Sequence, residues 1–163
     1  MTFASVDSLI QRCEQHLDAT NTRNTEIESV MVQHLLIRIC AEYEKRIVAL
    51  FHRRCSRTTD LHLRAFAQKS AQYVCQRFDI SDITKNLGRF GDDYKKTFHG
   101  QVMTGVAHIA WDNIYTNRVA VAHGTGAQMT FGDLKQAYSD SLTVLDALMS
   151  ALCLTPSEIV DLT

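Results

Sequence analysis

An arginine and a histidine five positions apart, with a glycine directly after, form the most chemically suggestive segment of the sequence: Arg118-Val119-Ala120-Val121-Ala122-His123-Gly124. The run from Asp112 reads as a helix that glycine stops, which leaves His123 where a helix presents its free carbonyl groups. The partial negative charge there favours a protonated imidazole. Five residues turn through about 140° net round an ideal helix, so the two side chains do not share a face. An arginine is long enough to reach round, and a last turn can unwind. The pair then sets a phosphate-binding guanidinium beside a proton-transfer group, a combination suited to cleaving RNA without a metal. The plainer reading is a solvated arginine and a histidine that merely caps a helix.

Spacing alone does not single this pair out. An arginine followed by four to six residues and a histidine occurs also as Arg46 with His52 and Arg57 with His62, and eleven arginines with seven histidines make chance matches ordinary. What separates Arg118 and His123 is context: a helix ending in Ala-His-Gly, a polar loop, then a long amphipathic helix. No HExxH, no phosphate-binding GxxxxGK[ST] and no ExxH pair occurs, and the histidines are scattered, so neither a metal nor a cofactor is expected.

The elements that must position these groups follow from composition. The seven glycines all lie at or after Gly88, and the one proline is Pro156, so the first 87 residues contain neither breaker. A β-sandwich or barrel needs many tight turns, usually marked by those residues, and a doubly wound nucleotide fold usually shows an early glycine-rich loop. An all-α chain remains, and 163 residues suit one domain, 1–163, with a short tail at 155–163. No apolar run approaches the roughly 18–20 residues of a membrane span, and the first residues lack the pattern of a secretory signal. Five cysteines, 13, 40, 55, 75 and 153, with no CxxC, read as buried reduced thiols in a cytoplasmic protein. Charge is uneven. Residues 38–77 carry nine positive and three negative side chains, +6, while residues 1–37 and 130–163 carry −3 and −4. The densest basic stretch, with Lys45, Arg46, Arg53, Arg54 and Arg57, either meets a phosphate-rich ligand such as RNA or pairs with the acidic ends of the chain.

Apolar spacing places the helices. The first is capped by Asp7 or Ser5 and runs to about residue 19 on Leu9, Ile10, Cys13 and Leu17. A long second helix covers 26–55, with Leu36, Cys40, Tyr43, Ile47 and Leu50 in a stripe that Ile37, Val48 and Phe51 widen. Asp60 caps a third, 61–78, with Leu63, Phe66, Ala67, Ser70, Tyr73 and Val74 on one face. Short helices follow: one opened by Ser81 or Asp82 and ending near Gly88, and one at 92–99. The next, 103–123, carries Val106, Ala107, Ile109, Ala110 and Ile114. Thr130 caps the last, whose stripe runs from Leu134 through Tyr138, Leu142, Leu145 and Met149 to Leu152. The expected architecture is a bundle of four or five main helices with short helical insertions.

The segment Asn117-Arg118-Val119-Ala120-Val121-Ala122-His123-Gly124 resembles the signature of the HEPN superfamily, all-helical proteins that include metal-independent RNases. The long helix, with Ala41-Glu42-Tyr43-Glu44-Lys45-Arg46-Ile47, resembles the glutamate-bearing helix of prokaryotic members, and the branch called RiboL-PSP-HEPN looks closest. The likeness in pattern covers roughly residues 8–152. Many active members carry a polar residue directly after the arginine; Val119 stands there, and the asparagine precedes it as Asn117. The resemblance implies a homodimer bringing two copies of Arg118 and His123 into one cleft. His123 would move the proton of an RNA 2′-hydroxyl or of the leaving oxygen, and Arg118 would hold the phosphate. Asn117 would support the site, Glu44 would orient Arg118, and Arg46, Arg53 and Arg54 would contact RNA. It also implies a defence or toxin–antitoxin setting with a partner protein. The alternative is a non-catalytic HEPN module that binds a nucleotide, RNA or protein.

Overall fold

The computed structural model describes residues 2–74 and 78–158, and among them every regular element is helical. Seven α-helices appear: α1 (Ala4–Thr20), α2 (Glu26–Cys55), α3 (Leu61–Val74), α4 (Ile80–Gly88), α5 (Asp92–Val102), α6 (Ala107–Ala122) and α7 (Phe131–Ala151), followed by a 3₁₀ turn at Pro156–Glu158. None of them is long and apolar enough to cross a membrane.

The core is built from α1, α2, α6 and α7. Glu28 near the start of α2 meets Phe131 at the start of α7, and Tyr43 further along α2 meets Ser141 of α7, so these two helices run in the same direction. α1 runs back against both: Asp7 meets Tyr138 and Glu14 meets Lys135. α6 returns along α7 through the short 123–130 connection and also packs on α2. The helices α3, α4 and α5 lie between α2 and α6 in sequence; α3 packs on α2, α4 on α5, and α5 on α7. The all-α bundle with short insertions expected from the sequence is therefore the architecture found.

Tyr43 sits at the centre. Its ring stacks on Trp111 of α6 at 4.5 Å between centroids and 7° between planes, and its hydroxyl shares a 2.5 Å hydrogen bond with Ser141 Oγ. Trp111 Nε1 donates to the Phe78 carbonyl at 2.6 Å, which ties the segment before α4 to α6. Polar atoms of two buried aromatic residues are thus satisfied where water is absent. Glu28, only 6% exposed, accepts from the backbone N–H of Asn24 (2.6 Å) and of Phe131 (2.8 Å). One carboxylate so fastens the N-terminal ends of α2 and α7, and those two donors hold its pKa below the ordinary glutamate value.

The caps follow the expected chemistry at some ends and not at others. Asp60 Oδ1 accepts from His62 N and Leu63 N, and Thr130 with Asp133 forms a reciprocal capping box on α7. α1, in contrast, begins at Ala4 rather than at a Ser5 or Asp7 cap. Phe3 is buried against the core and pulls the helix start outward, and Asp7 turns inward to Tyr138 Oη at 2.9 Å. Asp79, not Ser81 or Asp82, caps α4. α5 runs through Gly100 to Val102, because Phe98 and Val102 both bury. α6 begins at Ala107 and turns Trp111, Ala110 and Ile114 inward, leaving Val106 and Ile109 exposed. Ile37 also faces out of α2. The expected face of α3 is largely uncovered, with Leu63, Phe66 and Tyr73 exposed. The end of that helix at 75–77, and Cys75, lie outside the described residues. Cys13, Cys40 and Cys55 are buried free thiols, while Cys153 is exposed beyond the end of α7.

Candidate functional site

The end of α6 is closed by a glycine-dependent cap. Gly124 has φ +76°, a conformation that costs an L side chain energy. Its N–H donates to the Val121 carbonyl at 3.1 Å, and Thr125 N–H donates to the Ala120 carbonyl at 3.0 Å. These two bonds are the Schellman pattern, and they place His123 at the C-cap, half in and half out of the helix. The imidazole is exposed and makes no side-chain hydrogen bond among the described residues. The loop beyond is pinned a second time, because Gln128 N–H donates to Asn117 Oδ1 at 2.6 Å while Asn117 Nδ2 donates to the Asn113 carbonyl at 2.9 Å. Both ends of that amide are committed to backbone, so Asn117 acts as a clamp on the 124–128 turn.

Arg118 lies one residue further on and faces α2. Its Nη2 stands 3.7 Å from Glu44 Oε1, with the side chains 42% and 37% exposed. A pair this open is worth at most about 1 kcal/mol in stability. Its effect is directional: it holds the guanidinium over α2 by one edge, and its other N–H groups make no hydrogen bond among the described residues. The same cation acts on Cys40 below it. Burial pushes that thiol up to about 12, Arg118 pulls it down and Glu44 raises it, so Cys40 stays a neutral packing group.

The structure thus brings Glu44 to Arg118 and places His123 on the same last two turns, with no hydrogen bond between Arg118 and His123 among the described residues. Asn117 points to the other side of α6, into a groove of about 380 Å³ between α6 and α7 that also meets Asp133 and Asp140. The two other arginine–histidine spacings are separated by physical state. Arg57 is held in a two-pronged pair by Glu158, at 2.7 and 2.9 Å, and His52 Nε2 is buried with no hydrogen-bond partner among the described residues. Within the basic stretch, Arg54 donates to Tyr94 Oη and lies 5.3 Å over that ring, and Arg53 is half-buried. Arg46 differs from Arg53 and Arg54 in its surroundings: it is 7% exposed, with its guanidinium 5.4 Å over the Phe3 ring. The cause is the early start of α1, which brings Phe3 onto it.

Among the described residues no three of His, Cys, Asp and Glu stand close enough to hold a metal ion. The sequence reading missed Glu28, whose Thr25-Glu26-Ile27-Glu28 pattern is the signal of a capping residue that reaches back to the chain before its helix. Compared with protein-family models, curated proteins and solved structures, the chain finds no match.

Proposed function

We propose that the chain is a metal-independent endoribonuclease of HEPN type, acting as a homodimer in a cytoplasmic defence or toxin–antitoxin setting. The observation that carries the reading is the Glu44–Arg118 pair beside an exposed, unbonded His123 on a glycine-fixed helix end. In the reaction the RNA 2′-oxygen bonds to the adjacent phosphorus and the bond to the 5′-oxygen breaks, leaving a 2′,3′-cyclic phosphate. One imidazole takes the 2′-hydroxyl proton and a second protonates the departing oxygen, while Arg118 binds the phosphate oxygens as their charge grows. Two imidazoles require two copies. The surface of α2 supports that: Ile27, Val30 and Ile37 are exposed on one helical face, and Glu44 continues the same line seven residues beyond Ile37. DNA lacks the attacking hydroxyl and is not cleaved. The second reading, a binding module without catalysis, is favoured by the lack of a hydrogen bond linking Arg118 to His123 among the described residues.

The test is cleavage of a single-stranded RNA at matched folded concentration. His123→Ala loses about 10²–10⁴ in rate, and Arg118→Lys loses activity because an ammonium cannot reproduce the planar two-pronged contact. His52→Ala and His62→Ala retain it, and EDTA leaves it intact. Equal cleavage by His123→Ala and wild type refutes the catalytic reading.

A further inference from the structure

On α2, Glu44 and Arg46 are two positions apart, about 200° round the helix, so Arg46 belongs to a different surface from the Arg118 site. It points beneath the start of α1, into a hollow of about 390 Å³ lined by Thr2, Phe3, Ala4, Ser5, Glu42, Lys45 and Arg46. Burying a guanidinium is costly unless a counter-charge meets it. Arg46 is more than nine-tenths buried, yet it makes no hydrogen bond or ion pair among the described residues; its contact is with the Phe3 ring. Loss of water depresses its pKa, with Glu42 opposing.

The other groups round the hollow are also suited to an anion. The 17-residue α1 has no side-chain cap at Phe3, and while Val6 N and Asp7 N bond to the Phe3 carbonyl, the N–H groups of Ala4 and Ser5 have no acceptor among the described residues. These are the positive end of the helix. Lys45 stands on the rim. The nearby carboxylates are already engaged: Glu42 by Arg38 at 3.6 Å and Lys45 at 3.4 Å, and Asp7 by Tyr138 Oη.

We infer that the hollow under the α1 N-terminus is an anion site, in which Arg46, Lys45 and the free N–H groups of Ala4 and Ser5 bind a phosphate group, free or as a phosphomonoester. It is independent of the ribonuclease reading, because none of its groups touches Arg118, Glu44 or His123.

Thermal unfolding of the full chain tests it, in potassium chloride against potassium phosphate at equal ionic strength, with adenosine monophosphate as a second arm. At about ten times Kd, phosphate is expected to raise Tm by about 3–5 °C. A rise with phosphate alone marks a free-anion site; a larger rise with the nucleotide at the same concentration marks a phosphomonoester site. Arg46→Met keeps the apolar stem and removes the charge, so the protein folds and the rise disappears. Ala4→Pro removes one donor at a helix position that proline accepts and weakens binding several-fold. Arg118→Ala leaves the rise unchanged. No rise in wild type, a full rise in Arg46→Met, a rise lost in Arg118→Ala, or a rise with the nucleotide but none with phosphate overturns the assignment.

Discussion

Replacing Gly124 by alanine isolates the backbone strain that holds His123 in place. Gly124 has φ +76°, and a Cβ built there meets no atom within 4 Å, so the substitution causes no clash. The cost is conformational: about 1–2 kcal/mol for an L residue in the left-handed region, less the ~0.4–1 kcal/mol that alanine gains by restricting the unfolded chain. A net effect between about zero and a loss of about 1.6 kcal/mol follows, at about 2–4 °C in Tm for each kcal/mol. Gly88 supplies the control. It is the last residue of α4, its Cβ would also meet nothing within 4 Å, and its φ is not positive, so Gly88→Ala stabilises. Gly124→Asn costs less than Gly124→Ala, because asparagine tolerates the left-handed region. Urea unfolding followed by circular dichroism measures all three, with an unchanged dependence on urea as the check that the unfolded state is the same. If the alanine variants at 124 and 88 change stability in the same direction and by the same amount, the cap does not carry the strain ascribed to it.

Glu28→Gln leaves either the buried Phe131 N–H or the part-buried Asn24 N–H facing an amide donor. It is expected to cost about 1–3 kcal/mol, and to flatten the acid limb of the stability profile. That limb exists because a carboxylate with a depressed folded pKa stabilises above its ordinary range and loses that contribution as pH falls through the folded value. Glu158 is drawn from 4.5 to about 2, chiefly by its hydrogen bonds from Arg57, so its tether holds above pH 4.5 and weakens as the pH falls towards 2; in Arg57→Ala a carboxyl NMR titration of Glu158 moves back up. Ile37→Glu puts a charge in the exposed α2 stripe and is expected to shift sedimentation from dimer to monomer at micromolar concentration, and a wild-type monomer under the same conditions refutes the paired site.

The fold was legible where burial follows a period. Leu36, Cys40, Tyr43, Ile47 and Leu50 are all buried, as their three-to-four spacing requires, and Thr130 caps α7 because its side chain and Asp133 answer each other locally. The misread places are those where tertiary contacts override local chemistry. Nothing near Ser5 and Asp7 announces that Phe3 is an anchor and that Asp7 turns inward to a tyrosine on a helix 131 residues away. Likewise, Val106 and Ile109 have the right type and spacing for a core face, but Trp111 is larger and fixes the rotation of α6 in their place. At the candidate site the spacing of Arg118 and His123 was readable as a possibility. Its helix-end context set it apart from Arg57 and His62; that Arg57 is already engaged was not legible, because its partner Glu158 lies 101 residues away in sequence.

The double pinning of the turn after α6 also bears on the entropy of binding. A histidine on a glycine-bearing loop would ordinarily be ordered by its ligand, and each backbone residue so fixed opposes binding by about 1–2 kcal/mol. Here the amides of His123, Gly124, Thr125 and Gln128 are all bonded in the unliganded chain. That ordering is completed during folding. Whatever meets this helix end finds the His123 backbone already set, with only the rotation of its imidazole left to lose.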